Sequence, residues 1–302
     1  MRDVFPALRQ SKNTPYMFLI PSLTVILIFS ILPIVISFVM GFMNINIFLN
    51  NSSFAGLANF QKMLVDARFW NSLLNTSIFT LIVVPLQTGI SLILAIYVSK
   101  NTVFRKFCRT MLFIPAVCSM TAIGILWSIL LDPNLGLYAY FFKTLGFSDI
   151  TFLKDPNLAM PLVIITTVWK NLGISLVILV AGIQAIPQMY YEAAQIDGAG
   201  TFTQHMKITI PQLIPTLSFV VITNTIDSLK VFDQIYVMTQ GGPITTVHTT
   251  ESVVQYIYNV GFKLQPFALG YASAIAEVLF ILIAAATLII YRKSFKKEME
   301  VL

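Results

Sequence analysis

Long apolar stretches separated by short polar ones dominate this chain. Residues 13–61, 69–99 and 110–131 contain no Asp, Glu, Lys or Arg. Each interval is longer than the ~20 apolar residues that a helix needs to cross a bilayer. Three more apolar segments, each containing or adjoining an ionisable residue, lie at about 160–186, 211–227 and 267–291. The pattern therefore predicts an all-α, polytopic membrane protein with six transmembrane helices.

The composition supports a chain that folds in lipid. Hydrophobic residues make up 57% of the sequence and charged residues only 11%, with a mean hydropathy of +0.81, whereas soluble domains carry about 25% charged residues. The first apolar segment, residues 16–42, is much longer than the ~7–15-residue apolar run of a cleavable signal peptide. We therefore expect it to remain as a membrane helix.

The distribution of Lys and Arg predicts the orientation, because short cytoplasmic loops attract positive charge. With six crossings and a cytoplasmic N-terminus, twelve basic residues lie inside: Arg2, Arg9, Lys12, Lys100, Arg105, Lys106, Arg109, Lys207, Arg292, Lys293, Lys296 and Lys297. Five lie outside: Lys62, Arg68, Lys143, Lys154 and Lys263. The bias predicts cytoplasmic segments at 1–14 and 292–302 around a membrane domain at 15–291. The net charge of +6 thus reflects topology and implies no nucleic-acid partner.

A polar stretch, "YYEAAQIDGAGTFTQHMKITIPQLIP" at 190–215, connects the fourth and fifth predicted spans. Pro187 can begin a helix, and the glycines in 198–200 can end it. Thr201 with Gln204 three positions later matches a capping box for a second helix. We expect a helix, a turn and a helix on the cytoplasmic side, within a loop at 187–211.

Two interpretations of this loop follow from its residues. Small side chains allow another helix to approach closely, and Glu192 and Asp197 offer hydrogen-bond acceptors, so the loop could be a docking surface for a second protein. It could also be an amphipathic connector that lies among lipid headgroups. Such a connector normally carries more basic residues than Lys207 alone.

Three segments resemble the permease subunits of bacterial ABC importers, in the carbohydrate-uptake branch of maltose and glycerol-phosphate type. The "EAA" loop of that family is similar to the set Glu192, Ala193, Ala194, Asp197, Gly198 and Ala199, followed by "ITIP" at 208–211. The end of the family's fifth helix is similar to "VFDQIYVMTQGGP" at 231–243, and its outer loop and second helix are similar to residues 54–76.

The resemblance implies a specific assembly in a bacterial cytoplasmic membrane. This chain would form a heterodimer with a second homologous permease subunit, and an extracytoplasmic binding protein would deliver a sugar to the pair. Two separate ATPase subunits would bind ATP and Mg²⁺, so this chain would be non-catalytic and bind no cofactor. The six EAA-loop residues would form the coupling helix that contacts the ATPase. Accordingly, the sequence contains no GxxxxGK[ST] phosphate loop, and no metal site is predicted.

Polar residues within the predicted spans are candidates for the substrate pathway, because ionisable groups at membrane depth are costly unless they face protein or water. The candidates are Lys170, Asn171, Asp227, Ser228, Lys230 and Asp233. Asp227 and Lys230 are three residues apart, so they could instead form a purely structural ion pair. The resemblance favours sugar contacts on these two helices. Trp127 and Trp169 could stack on sugar rings or anchor the interface, and Glu277 has no assigned role.

Other functions remain open at this stage. An ion- or proton-coupled secondary transporter would have paired repeats with broken helices, and no such repeat is visible in the sequence. An intramembrane enzyme would need a nucleophile or a metal site at membrane depth. The cargo is also open, since a phosphorylated polyol could use Lys170 or Lys230 as its charge partner.

Overall fold

A computed structural model describes residues 14–48, 52–145, 152–241 and 248–301. These residues are mostly helical, and several of the helices are long and apolar enough to cross a membrane. The prediction of a helical, polytopic membrane protein is confirmed to this extent. The predicted N-terminal segment with Arg2, Arg9 and Lys12 lies outside the described residues, except for its last residue. So do the final residues of the 231–243 segment.

The described residues group into two compact units. The first contains residues up to Val65 together with Asn259–Glu277. Its elements are α1 (Thr14–Ile26), a π-helical turn (Leu27–Ile31), α2 (Leu32–Gly41), β1 (Met43–Asn44), β2 (Ser53–Phe54), α3 (Ala58–Val65), a second π-helical turn (Asn259–Lys263) and the start of α15 (Leu269–Val301).

In this first unit, the two short strands pair antiparallel. The side-chain amide of Asn59 donates to the carbonyl oxygens of Gly41 (2.9 Å) and Met43 (3.0 Å). The first bond satisfies a carbonyl in the last turn of α2, which has no partner within the helix, and the second ties α3 to β1. Glu277, to which the sequence assigned no role, is buried on α15, and its Oε1 has no hydrogen-bond partner among the described residues.

The second unit contains residues Asp66–Tyr258 and the end of α15. Its other elements are α4 (Ala67–Val98), α5 (Val103–Val117), α6 (Met120–Leu130), α7 (Leu137–Thr144), α8 (Ala159–Ala185), α9 (Gln188–Ile196), α10 (Thr201–Gln204), a π-helical turn (His205–Thr209), α11 (Ile210–Gln212), α12 (Ile214–Leu229), α13 (Asp233–Met238) and α14 (Val253–Tyr258).

Helices α4, α8 and α12 carry the core of this unit. One apolar cluster joins Phe79 on α4 to Val163 on α8 and Ile235 on α13. A second cluster joins Ala95 on α4 to Leu176 on α8 and to α12. The part of α4 between these clusters buries three polar side chains, Gln87, Thr88 and Ser91, and it borders the site described below.

A charged cluster fixes the segment before α14 to the start of α4. Arg68 Nε and Nη2 each donate to a Glu251 carboxylate oxygen at 2.7 Å, and the Glu251 side chain is only 1% exposed. The Asp66 carboxylate caps α4 by accepting the Arg68 N–H at 2.9 Å, and it also accepts the Tyr256 hydroxyl. The Asn75 amide donates to backbone carbonyls of this same segment.

Within the described part of the chain, helix length and hydropathy give four helices that could cross a membrane, or up to six if each of two bent helix pairs is one span. The four are Phe18–Gly41, Ala67–Val98, Ala159–Ala185 and Leu269–Ser294. They confirm the first, second, fourth and sixth predicted segments as long apolar helices. The third and fifth are broken.

The two breaks have local causes. Cys118 (ψ 147°) and Ser119 (ψ 138°) are extended, and α5 and α6 meet at 94° across them. Pro115, in the last turn of α5, has no N–H to donate. The fifth segment bends by 67° at Leu213, which lies between two prolines. The straight helix there is α12, which begins three residues later than the start predicted near residue 211.

Helices α5 and α8 approach closely at Gly173. A β-carbon at this position would lie 2.7 Å from the Leu112 carbonyl oxygen and 2.9 Å from the Phe113 Cα. Both are backbone atoms, which cannot move aside as the end of a flexible side chain can. The lack of a side chain at Gly173 is therefore needed for this packing.

Candidate functional site

The predicted helix, turn and helix after α8 are present. Helix α9 begins after Pro187 and ends at Ile196, followed by Gly198 with a φ of +75°. The Gly198 N–H donates to Gln195 O (3.0 Å) and the Ala199 N–H to Ala194 O (2.8 Å). This is a Schellman motif, which needs a residue that tolerates positive φ. The prediction that glycine ends the helix is confirmed.

The predicted capping box at Thr201 is wrong. Gly200 is the residue before α10, with an extended ψ of 163°, and no side chain caps the helix. Thr201 is already the first helical residue, so its hydroxyl does not occupy the capping position. The Gln204 side chain instead donates to the Ala199 carbonyl at 2.8 Å, which ties the second helix to the turn.

A shared hydroxyl joins the two helices of the loop. Thr209 Oγ1 lies 2.9 Å from the Tyr191 hydroxyl and 3.1 Å from His205 Nδ1. Thr209 is fully buried, so both contacts are protected from water. The loop is thus a packed unit, whose two helices are fixed to each other.

Helix α9 has two different faces. Its outer face exposes Met189 (67%) and Ile196 (87%), together with the predicted docking residues Glu192 and Ala193. Of the other predicted docking residues, Asp197 and Gly198 are exposed, while Ala194 and Ala199 are half-buried. The opposite face, with Gln188, Tyr191 and Gln195, lines a groove.

A second candidate site is a polar cavity of about 270 Å³ between α4, α8 and α12. Three residues predicted for the substrate pathway line it: Asn171, Asp227 and Ser228. Four polar residues that the sequence analysis did not single out also line it: Gln87, Ser175, Thr223 and Asn224. Ile174, Ile178 and Phe219 complete the wall.

Buried amides and hydroxyls link the three helices beside this cavity. Gln87 Nε2 donates to Ser175 Oγ (3.1 Å) and Asn224 Oδ1 (2.9 Å), and Asn224 Nδ2 donates to Thr88 Oγ1 (3.2 Å). All four side chains are buried. Since polar groups at membrane depth are costly without partners, this network stabilises the polar stretch between the two apolar clusters.

The other predicted pathway residues do not line the cavity. Lys170 is half-buried and Asp233 is exposed at the start of α13. Lys230 Nζ lies 4.0 Å from Asp227 Oδ1, with the two side chains 54% and 72% exposed in this chain. An exposed pair at this distance contributes about 0–1 kcal/mol, so the geometry does not favour a buried structural ion pair.

Trp127 lies in an aromatic cluster. Its ring stacks on Tyr138 (centroids 6.0 Å apart, planes at 6°) and meets Trp169 edge-on at 6.0 Å. It also packs against the apolar cluster that contains Phe79. Its Nε1 has no hydrogen-bond partner in the part of the chain described.

Sequence reasoning missed Gln87, Ser175 and Asn224 because it selected ionisable groups in the spans and polar residues directly beside them. Carboxamides inside otherwise apolar helices were the available signal, since they too need partners at membrane depth.

Comparison with known proteins agrees with this architecture. The family model described as "Binding-protein-dependent transport system inner membrane component" matches residues 87–298. The trehalose/maltose transport system permease protein MalF of Thermococcus litoralis is 34% identical over 274 residues, which cover 91% of each chain. The arabinooligosaccharides transport system permease protein AraP of Bacillus subtilis is 32% identical over 301 residues, covering 98% of this chain and 93% of AraP.

Further similarity extends to a third permease and to a solved structure. The sn-glycerol-3-phosphate transport system permease protein UgpA of Agrobacterium fabrum is 32% identical over 290 residues, covering 96% of each chain. A chain in the crystal structure of a bacterial alginate ABC transporter, in complex with an alginate pentasaccharide-bound periplasmic protein, superposes with a TM-score of 0.81, 23% identity and 94% coverage of both chains. That structure supports the fold. With a family match over 87–298 and relatives aligned along nearly the whole length, this chain belongs to the inner membrane components of binding-protein-dependent transport systems, the permeases of ABC transporters.

Proposed function

We propose that this chain forms half of the membrane pathway of an ATP-driven importer for a sugar, an oligosaccharide or a related compound. The other half comes from a second, homologous permease subunit. An extracytoplasmic binding protein delivers the cargo, and two separate ATPase subunits supply the energy. The chain itself is non-catalytic, and ATP and Mg²⁺ are held by the ATPases. Its location is the cytoplasmic membrane of a bacterium.

The names of the relatives support the cargo class. MalF and AraP are named for trehalose, maltose and arabinooligosaccharides, UgpA for sn-glycerol-3-phosphate, and the similar crystal structure for alginate. Most of these are sugars or sugar polymers. We infer a carbohydrate or polyol cargo for this chain from that agreement.

The outer face of α9 is the observation that carries the coupling mechanism. Met189 and Ile196 place exposed apolar surface on a short loop helix, on either side of Glu192 and Ala193. An amphipathic helix with such a face is suited to insert into a groove of a partner protein. The small Ala193 lets the helix seat closely, and Glu192 can accept hydrogen bonds from the partner. We assign this partner as the ATPase.

The polar cavity supports a substrate pathway along α4, α8 and α12. Asn171, Asp227 and Ser228, with Gln87 and Asn224, supply donors and acceptors of the kind that sugar hydroxyls need. Lys170, Lys230, Asp233 and Trp127 stay predictions for the part of the pathway shared with the second subunit.

Reconstitution tests the energy source. In proteoliposomes that hold this chain, its permease partner and the ATPases, uptake should require internal ATP and the external binding protein. It should continue after proton and sodium gradients are collapsed. Gradient-driven uptake by this chain without nucleotide would contradict the proposal and favour a secondary transporter.

A matched pair of substitutions tests the docking face. Ala193→Glu adds a bulky charge to the outer face of α9 and should reduce co-purification of the ATPase and abolish uptake. Gln195→Glu adds the same carboxylate to the same helix on the opposite face, and the ATPase should still co-purify. Equal ATPase recovery with both variants would contradict the assignment of the face.

Removal of both charges tests the pathway at Asp227. The double variant Asp227→Asn, Lys230→Met should change the free energy of unfolding by less than about 1 kcal/mol, because the pair is exposed. Its uptake should nevertheless fall sharply, because Asp227 lines the cavity. Normal uptake rate and affinity in the double variant would refute this pathway.

A further inference from the structure

A groove of about 660 Å³ lies behind α9, on the side away from its outer face. Its walls come from the end of α4 (Ser99, Lys100), the end of α8 (Ile183, Gln184), the inner face of α9 and the helix that begins at Thr201. The volume falls within the ~300–1,000 Å³ typical of small-molecule sites. The groove shares no residue with the polar cavity. Of the six predicted docking residues, only Ala199 is among its lining residues.

The walls of the groove are held by hydrogen bonds. Gln184 Nε2 donates to the Ser99 carbonyl at 3.0 Å, which joins the ends of α8 and α4. Gln204 donates to the Ala199 carbonyl at 2.8 Å. The groove is therefore a formed feature of the loop and of the helix ends.

The residues that line the groove supply mainly hydrogen-bond donors and basic groups. Lys100 and His205 line the groove, and none of the described residues that line it is Asp or Glu. Lys100, Gln188 and Gln195 form no side-chain hydrogen bond or ion pair with the described residues. An ammonium group and two carboxamides thus supply N–H donors that have no internal acceptor. Tyr191 and Thr201 lie along the same walls.

We propose that this groove binds a phosphate group, with Lys100 as the charged contact and Gln188 and Gln195 as neutral donors. Phosphate oxygens are strong acceptors, and charge-assisted hydrogen bonds to Lys are among the stronger protein contacts. Two sources carry this group: the headgroup of an anionic lipid, or a soluble phosphorylated compound. Basic pockets between membrane helices on the cytoplasmic side are suited to lipid phosphates.

Occupancy would connect the membrane helices to the loop. A phosphate held between Lys100 and Gln195 would bridge the end of α4 and helix α9. In the proposed mechanism, relative movement of these two elements transmits the conformational change of the ATPase. This consequence rests on the proposed function, whereas the binding itself does not. A bound ligand should restrain the loop and lower the rate of coupled transport.

The assembled transporter in nanodiscs provides the binding test. Native mass spectrometry would count phosphatidylglycerol retained after transfer from mixed phosphatidylcholine and phosphatidylglycerol discs. Calorimetric titration of inorganic phosphate into pure phosphatidylcholine discs would test the soluble source. Lys100→Gln removes the charged contact, and Lys106→Gln removes the same charge from α5, outside the groove, as the matched control.

The wild-type complex and Lys106→Gln should bind alike, and Lys100→Gln should bind about tenfold more weakly, the change expected for one lost charge-assisted hydrogen bond. Gln195→Glu should also weaken binding, by repulsion. If Lys100→Gln reduces only the retention of phosphatidylglycerol, the ligand is a lipid headgroup. If it weakens the binding of inorganic phosphate in the titration, the ligand is a soluble compound. If Lys100→Gln matches Lys106→Gln in both arms, the proposal is overturned whether or not the transporter works as proposed above.

Discussion

The ion pair between Arg68 and Glu251 gives the sharpest stability prediction. We consider Arg68→Met, Glu251→Leu and the double variant, which replaces both charges by apolar side chains. The pair makes two charge-assisted bonds of 2.7 Å. At about 1.5–3 kcal/mol for each such bond, the contact amounts to about 3–6 kcal/mol, similar to the ~3–5 kcal/mol typical of breaking a buried pair.

The two single variants should differ in cost because burial is unequal. The Glu251 side chain is 1% exposed and that of Arg68 is 28% exposed. Removing Arg68 leaves a fully buried carboxylate without its bidentate partner, so we expect a loss of about 5 kcal/mol. Removing Glu251 leaves a guanidinium that water still reaches, and we expect about 3 kcal/mol. The double variant should cost much less than the sum, because no charge stays buried without its partner.

Equilibrium unfolding of the purified chain in mixed micelles, analysed as a double-mutant cycle, measures this coupling. The exposed pair Asp227 and Lys230 serves as the control, with an expected coupling below about 1 kcal/mol. The reasoning fails if the Arg68 and Glu251 costs add to within about 0.5 kcal/mol. It also fails if Glu251→Leu proves more costly than Arg68→Met.

Three further predictions use single substitutions, each measured by thermal unfolding in detergent. Gly173→Ala should destabilise by about 1–3 kcal/mol, because its β-carbon would overlap backbone atoms of α5. Gly89→Ala is the control, because a β-carbon at Gly89 would have no neighbouring atom within 4 Å. This variant should be more stable by up to about 1 kcal/mol through helix propensity. A loss of stability in Gly89→Ala would argue that overlap with α5 is not what destabilises Gly173→Ala. Gln87→Leu should cost about 1–3 kcal/mol, because it removes the donor to Ser175 Oγ and one of the two donors to Asn224 Oδ1. Unchanged stability with normal uptake would count against the polar network. Tyr256→Phe should cost about 1.5–3 kcal/mol through loss of its hydrogen bond to the Asp66 carboxylate, and wild-type stability would show that this bond contributes nothing.

The parts of the fold that could be predicted are those set by local sequence. Absence of charge over residues 69–99 is sufficient to locate α4, and apolar composition on both sides of Lys170 locates α8. The backbone requirement for positive φ is sufficient to place Gly198 at the end of α9. The same local rules misplaced the start of the next helix by one residue. Both Gly200 and Thr201 can precede a helix, and the extended backbone of Gly200 in the structure distinguishes them.

The parts that could not be predicted depend on contacts between distant residues. Arg68 and Glu251 are separated by 183 positions, and nothing near either residue indicates the other. The cavity depends on the alignment of Gln87, Ser175 and Asn224 on three helices, which one sequence does not specify. Hydropathy also reads 110–131 as one span because it does not detect the two extended residues between α5 and α6.

Helix α8 is the element that can connect the loop with the cavity. It is continuous from Ala159 to Ala185, whereas the third and fifth segments are bent. Ser175, in the cavity wall, lies ten residues before its end, or about 15 Å at 1.5 Å per residue. Helix α9 follows only three residues after α8, and Gly173 packs directly on the backbone of α5. Under the proposed function, a displacement of the loop would therefore reach Ser175 and the cavity wall through this continuous helix, and the α5 backbone packed on Gly173 would move with it.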